Sequence, residues 1–170
     1  MQGCHNISPY LCYENCIQMK KILSVIALFG LLNGCASGPT PYNPERVASN
    51  DISNTIKTLD EDKRALLTFG ANWCSDSRAL ATAYQQEPLQ SLVDDNFDIV
   101  FIDIGERNRN LDLAQKFNAP VMGGIPSIVV VDANGEIEFS SKAEDLKNAA
   151  AMTEQDIYDY FDNLVERELK

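Results

Sequence analysis

Apolar residues recur at helical spacing at Ile52, Ile56 and Leu59 within a polar stretch, which predicts an amphipathic helix ending near Lys63. Ala65 to Phe69 is then almost wholly apolar and short, so it reads as a strand. Gly70, Ala71 and Asn72 make a turn, and from Cys74 onward helix formers with apolar residues on one face predict a helix whose first turn holds Cys74. Pro88 interrupts that helix, Leu89 to Val93 forms a second short piece, and Asp94-Asp95-Asn96 turns the chain. Phe97 to Ile104 is apolar on both faces, as a strand covered by helices on each side would be. Leu111 to Phe117 is helical; Ser127 to Val131 and Ile137 to Ser140 form a hairpin around an AspAlaAsnGly turn. Thr153 opens a last helix with Glu154 and Asp156 in its first turn and Ile157, Phe161, Leu164 and Val165 on one face. The order helix, strand, helix, strand, helix, strand, strand, helix describes an α/β three-layer sandwich with a central mixed sheet flanked by helices.

Composition narrows what such a domain does. An apolar share of 45% in 170 residues suffices for one core, and a net charge of -11 argues against nucleic acid, whose phosphates are bound by clustered Lys and Arg. The acidity itself reads as a solvated surface and names no substrate.

The N-terminal part has a different logic. Residues 1–18 lack Lys and Arg, whereas Met19-Lys20-Lys21 opens a basic segment followed by the apolar run Ile22 to Leu32 and then Leu32-Asn33-Gly34-Cys35. The run of 11 residues is shorter than the roughly 20 a membrane-spanning helix needs, so a cleaved signal is expected over 19–34 and residues 1–18 are expected to be an upstream extension produced by a mis-assigned start. Leu32 to Cys35 resembles the lipobox of bacterial lipoproteins, which implies a diacylglycerol on Cys35; the alternative is an ordinary secretory signal with a chance cysteine. Ala36, rather than Asp, after that cysteine favours the outer membrane facing the periplasm. Residues 35–50, with three prolines and no apolar periodicity, read as the lipid-bearing cysteine and a flexible tether, leaving 51–170 as the folded domain. On this reading Cys4, His5, Cys12 and Cys16 form no metal site. The mature chain then retains two cysteines, Cys35 blocked by lipid and Cys74 free, and no histidine, so no metal and no cofactor is expected and copper delivery, which needs two thiols and a histidine, is disfavoured.

Phe69-Gly-Ala-Asn-Trp-Cys-Ser-Asp-Ser77 after a strand, with Gly124-Ile125-Pro126-Ser127 before another, resembles the thioredoxin family over about Ala65 to Lys170. Gly70 to Cys74, Asp76 and AsnLeuAspLeuAla at 110–114 are similar to a branch of bacterial envelope proteins with a Cys-Pro-Asp-Cys site. The resemblance implies a thioredoxin-like sandwich, Cys74 as nucleophile, and a cis Ile125-Pro126 peptide presenting backbone to an extended peptide or thiol substrate. A sulfur at a helix start is stabilised as thiolate by unpaired N–H groups and the positive end of the dipole, while Asp76 in the same turn opposes it. Trp73 either shields the sulfur and touches substrate or packs in the core.

Two departures from the pattern matter. Ser77 stands where the resolving cysteine belongs, and Thr68 where many family members bury a carboxylate. Without a second thiol an internal disulfide cannot release a bound partner, so a dithiol reductase cycle is not expected. Monothiol exchange remains, with Cys74 and Ser77 at the reacting centre and Trp73, Asp76, Ile125 and Pro126 positioning substrate; Ser77 donates a hydrogen bond to the thiolate, or else records degeneration or a trapping substitution. The expected partners are disulfide- or thiol-bearing envelope proteins or small thiols, with the membrane reached through the lipid. The competing reading is a non-catalytic binding or scaffold module.

Overall fold

The computed structural model describes residues 40–168. The signal at 19–34, the extension at 1–18, the lipid-bearing Cys35 and the first part of the tether lie outside the described residues. Within them, helix α1 spans Ala48–Thr58, strand β1 Arg64–Gly70, helix α2 Ser75–Ala83, helix α3 Leu89–Asn96 and strand β2 Phe97–Asp103. Helix α4 follows at Leu111–Lys116, strands β3 and β4 at Ser127–Val131 and Ile137–Ser140, a 3₁₀ turn at Ala149–Ala151 and helix α5 at Glu154–Asn163, which continues as a π-type segment Leu164–Glu168.

The four strands line up as β2-β1-β3-β4, with β1 parallel to β2 and antiparallel to β3, and β3 antiparallel to β4. Period-two alternation sorts the sheet into two cores. Leu67, Phe69, Val129 and Val131 face the side of α1 and α4 with Ile52 and Phe117, whereas Leu66, Ile128 and Val130 face Leu80, Val93 and Phe161 on α2, α3 and α5. This is the three-layer mixed α/β sandwich read from the pattern, with β1 central and β3 buried at all five positions.

Particular residues explain the elements and their limits. Helix α5 carries a capping box: Asp156 N donates to Thr153 Oγ1 at 3.1 Å and Thr153 N donates to Asp156 Oδ2 at 2.9 Å, so two of the helix's unpaired first-turn groups are satisfied. The Thr153 hydroxyl, donating to Asp156 Oδ2 at 2.7 Å, and then the Thr153 N–H hold the Asp156 carboxyl below the usual carboxylate range. The hairpin turn is tied by Asp132 Oδ1, which accepts from Asn134 N at 2.9 Å and Glu136 N at 2.8 Å, and Gly135 takes φ +80°, where a side chain would be strained. Helix α1 ends five residues before Lys63, because Leu59 is extended and Lys63 N closes a turn onto Asp60 O at 3.0 Å. Helix α2 stops at Ala83, ahead of Pro88 rather than at it, while α3 runs through Asp94 and Asp95 to Asn96. Strand β2 is apolar on both faces as expected, but it is an edge strand, so Ile99 and Phe101 stay partly exposed.

The larger correction concerns the tether expected to run to residue 50. Tyr42 is completely buried, its ring standing edge-on to Phe101 at 5.4 Å, and α1 already begins at Ala48. Tyr42 N donates to Asn72 Oδ1 at 3.3 Å and Asn72 Nδ2 donates back to Tyr42 O at 2.6 Å. Arg109 donates to Pro44 O at 3.0 Å, so the segment from Tyr42 to Val47 is a strap fastened to the domain.

Candidate functional site

β1 ends in the middle of the sheet, and the chain turns at its carboxyl end before entering α2. The Cys74 N–H donates to Ala71 O at 3.1 Å and its carbonyl accepts from Arg78 N at 3.1 Å, which makes Cys74 the N-cap of α2. Its side chain makes no capping bond, so the sulfur sits at the end of the helix where first-turn N–H groups lack intrahelical partners. Negative charge is favoured at that end by typically 0.3–1 kcal/mol on exposed surfaces.

Cys74 is 8% exposed, and its Sγ–H points to Ile125 O at 3.6 Å. The loop that carries Ile125 therefore meets α2 across 51 positions of sequence, and the Ile125-Pro126 peptide is cis. Cys74, Ile125 and Pro126 are thus brought together as the sequence reading expects. Trp73 is 48% exposed, with Nε1 donating to Gly105 O at 2.9 Å and the Arg107 guanidinium 6.0 Å from the ring centroid. It forms a surface beside the cysteine and does not pack in the core. Met122, at 69% exposure in the Ile125 loop, is another uncovered apolar side chain.

Asp76 has a bonding partner within the fold. Its Oδ1 accepts from Ala150 N at 2.9 Å, so the carboxylate ties α2 to the 3₁₀ turn, which leaves it a structural duty besides any influence on the sulfur. Ser77 is wholly buried and its hydroxyl meets the Tyr42 phenol without a well-aligned hydrogen bond. Thr68, on the strand, is also wholly buried, its Oγ1 at 3.5 Å from the Tyr84 hydroxyl, and burial pushes the Tyr84 phenol upward.

Tyr42, Gly105 and Arg107 also belong to this neighbourhood and carried no periodic signal, and Gly70, read as a turn residue, closes β1 instead. A Cβ on Gly70 would lie 2.5 Å from Tyr42 Cζ and 2.7 Å from Ser77 Oγ, so glycine leaves the room in which those two side chains meet. An aromatic flanked by prolines carries no periodic signal; its partner Asn72, two residues before the cysteine, was the nearest hint. Cys74 is the free cysteine among the described residues, and no cluster of three or more His, Cys, Asp or Glu among them is placed to hold a metal ion. No described helix is long and apolar enough to cross a membrane.

Comparison with known proteins adds three findings. Residues 49–133 match the sequence family described as thioredoxin-like. A solved disulphide isomerase from Xylella fastidiosa Temecula1 is 36% identical, superposes with a TM-score of 0.69, and is covered over 98% of its length by 75% of this chain. A protein disulfide-isomerase of Schizosaccharomyces pombe is 29% identical over 69% of this chain, which spans only 29% of that protein's length.

Proposed function

The chain belongs to the thioredoxin-like family, and on that premise we propose that it exchanges thiols with disulfides through one nucleophilic sulfur, Cys74. The observation that carries this reading is the seat of that sulfur: a helix N-cap with no side-chain bond, flanked by a half-exposed Trp73 and facing Ile125 O. The solved relative with 36% identity over nearly its whole length is named a disulphide isomerase, which supports the same chemistry.

The step follows from the residues present. The Cys74 thiolate attacks one sulfur of a partner disulfide; a Cys74–sulfur bond forms, the partner's S–S bond breaks, and the second partner sulfur leaves as thiolate. Ser77 cannot complete an internal disulfide, so release requires a second thiolate, from the client or from a small thiol such as glutathione. That thiolate attacks the partner's sulfur in the mixed disulfide and returns Cys74 as thiolate. The sum reshuffles disulfides with no net oxidation, which is isomerisation or small-thiol exchange rather than a dithiol reductase cycle. Ser77 at the third residue beyond Cys74 supplies a hydroxyl on the same helical face. Trp73 and the Ile125-Pro126 backbone supply the surface against which an extended partner lies.

The test is pH-dependent alkylation of the full chain with site-resolved mass spectrometry, followed by challenge with glutathione disulfide. Cys74 is expected to alkylate readily and to accept glutathione in a mixed disulfide that Cys74→Ala cannot form. A sulfur that stays unreactive toward both reagents would replace this reading with that of a non-catalytic binding or scaffold module.

We also place the protein at the cell envelope, held by lipid on Cys35, on the strength of the Leu32-Asn33-Gly34-Cys35 sequence after an apolar run. Ala36 points to the outer membrane, facing the periplasm. In a Gram-negative host the full chain is expected to partition into the detergent phase and Cys35→Ala into the aqueous phase. Wild-type protein found in the aqueous phase would remove the anchor from the proposal.

A further inference from the structure

Behind Cys74 lie two buried hydroxyls, Tyr42 Oη and Ser77 Oγ, which interact with each other but form no well-aligned hydrogen bond to any group. They converge on one point: a Cβ built on Gly70 would be 2.5 Å from Tyr42 Oη and 2.7 Å from Ser77 Oγ, so both oxygens border the same glycine-sized gap. Buried polar atoms in folded proteins are normally well paired, and two misaligned hydroxyls side by side call for an explanation. The strap that brings Tyr42 here is registered against the cysteine loop by its two bonds with Asn72, and Arg78 donates to Asn72 O at 2.6 Å. Strap, cysteine loop and first turn of α2 are therefore one stitched unit.

Resting on the reading of Cys74 as the working nucleophile, we propose that Tyr42 is a positioning residue for that sulfur: its phenol donates to Ser77 Oγ, which turns the Ser77 hydrogen toward Cys74 when the thiol ionises. The thiol and the thiolate have opposite needs. As a thiol, Sγ donates to Ile125 O at 3.6 Å. As a thiolate it has no hydrogen to give and must be surrounded by donors. Ser77 is the side-chain donor one helical turn on, and a serine hydroxyl whose hydrogen is held by no acceptor can rotate. A hydroxyl has one hydrogen and two lone pairs, so Ser77 can accept from Tyr42 and still donate to sulfur, and the first bond polarises the second.

Tyr42 is suited to permanent donation. Burial is the largest cause holding its phenol well above the ordinary value, Tyr84, Cys74 and Asp103 act in the same direction, and Ser77 acts against them. It therefore keeps its proton throughout the pH range in which thiols ordinarily ionise. The other ionisable groups around the gap are accounted for: Tyr84 faces Thr68, Asp103 accepts from Gly105 N at 3.2 Å and lies 3.9 Å from Arg109, and Asp76 is engaged by Ala150 N.

The experiment compares Tyr42→Phe, Ser77→Ala and the double variant in the full chain, reading the pH profile of Cys74 alkylation beside thermal melting. Phenylalanine keeps the ring that fills the core and removes only the donor. Each single variant is expected to raise the alkylation midpoint by about one pH unit, a roughly tenfold loss of thiolate below the midpoint. The double variant should match Ser77→Ala, because Tyr42 acts through Ser77. A Tyr42→Phe profile that superimposes on that of the wild type overturns the proposal, whatever happens to the melting temperature. So does a double variant whose shift is the sum of the two. A wild type whose Cys74 takes up no glutathione fails earlier, taking the monothiol reading down with this one.

Discussion

Ser77→Cys is expected to change the protein from one that holds a disulfide partner into one that lets it go. In the present chain a mixed disulfide at Cys74 waits for a thiol from outside, because position 77 offers only a hydroxyl. A thiol at that position would sit one helical turn from the sulfur, at the start of α2, in a buried site that already accepts a side chain of nearly the same shape. Attack then becomes intramolecular, and well-oriented intramolecular reactions reach effective concentrations far above the millimolar thiol competing from solution. The lifetime of the glutathione adduct is expected to fall at least about a hundredfold, and mass spectrometry of the oxidised protein should find Cys74 bonded to the introduced thiol. Thr68 leaves the new thiol without a buried carboxylate to take its proton, so the gain should grow as pH rises toward the ordinary thiol value of about 8.5. Adding Cys74→Ala in the same background should abolish the adduct. An adduct as long-lived in Ser77→Cys as in the parent would mean that side chain 77 does not face the sulfur, and would count against the Ser77 hydrogen bond as well.

The arrangement that makes this argument possible was partly legible in the chain. Ser127 to Val131 is an unbroken β-branched run, and only a central strand with helices on both faces buries every position, as β3 does. Thr153 with Asp156 three residues on announced the capping box that starts α5, and Trp73-Cys74 after an apolar strand announced a helix start, at which Cys74 is the N-cap rather than a first-turn residue. These signals are local, formed by residues within one turn of each other. What escaped is long-range. Phe97 to Asp103 has two apolar faces because helices cover both, yet nothing in its own pattern says that one side of the ladder is unpaired. Asp76 reads as a charge beside the sulfur until Ala150, far along the chain, proves to be its hydrogen-bond partner. Tyr42 lies among Pro41, Asn43 and Pro44, a composition that spells linker, and its burial rests on Phe101 and on Asn72, both distant in sequence.

Tyr42→Ala is the substitution on which the tether and strap readings differ most. Residues of a solvated tether tolerate exchange within about 0.5 kcal/mol, because neither state buries them. A fully buried aromatic ring truncated to alanine loses its transfer free energy and leaves a cavity, which costs about 3–5 kcal/mol. For a domain of this size that is a fall in melting temperature of roughly 10–20 °C. Gly70 supplies the control that ties the loss to packing at this place rather than to general disorder of the strap. Its backbone lies in ordinary strand conformation at the end of β1, so alanine there is opposed by contact alone, chiefly the 2.5 Å approach to the Tyr42 ring. Gly70→Ala should therefore destabilise the wild type by about 1–3 kcal/mol through overpacking. In the Tyr42→Ala background the added methyl enters space the ring has vacated, and most of that penalty should vanish, leaving a coupling of about 1–3 kcal/mol between the two positions in urea unfolding. Strict additivity of the two substitutions, with a small effect at position 42, would return the segment to the status of a tether and remove the strap from behind Cys74.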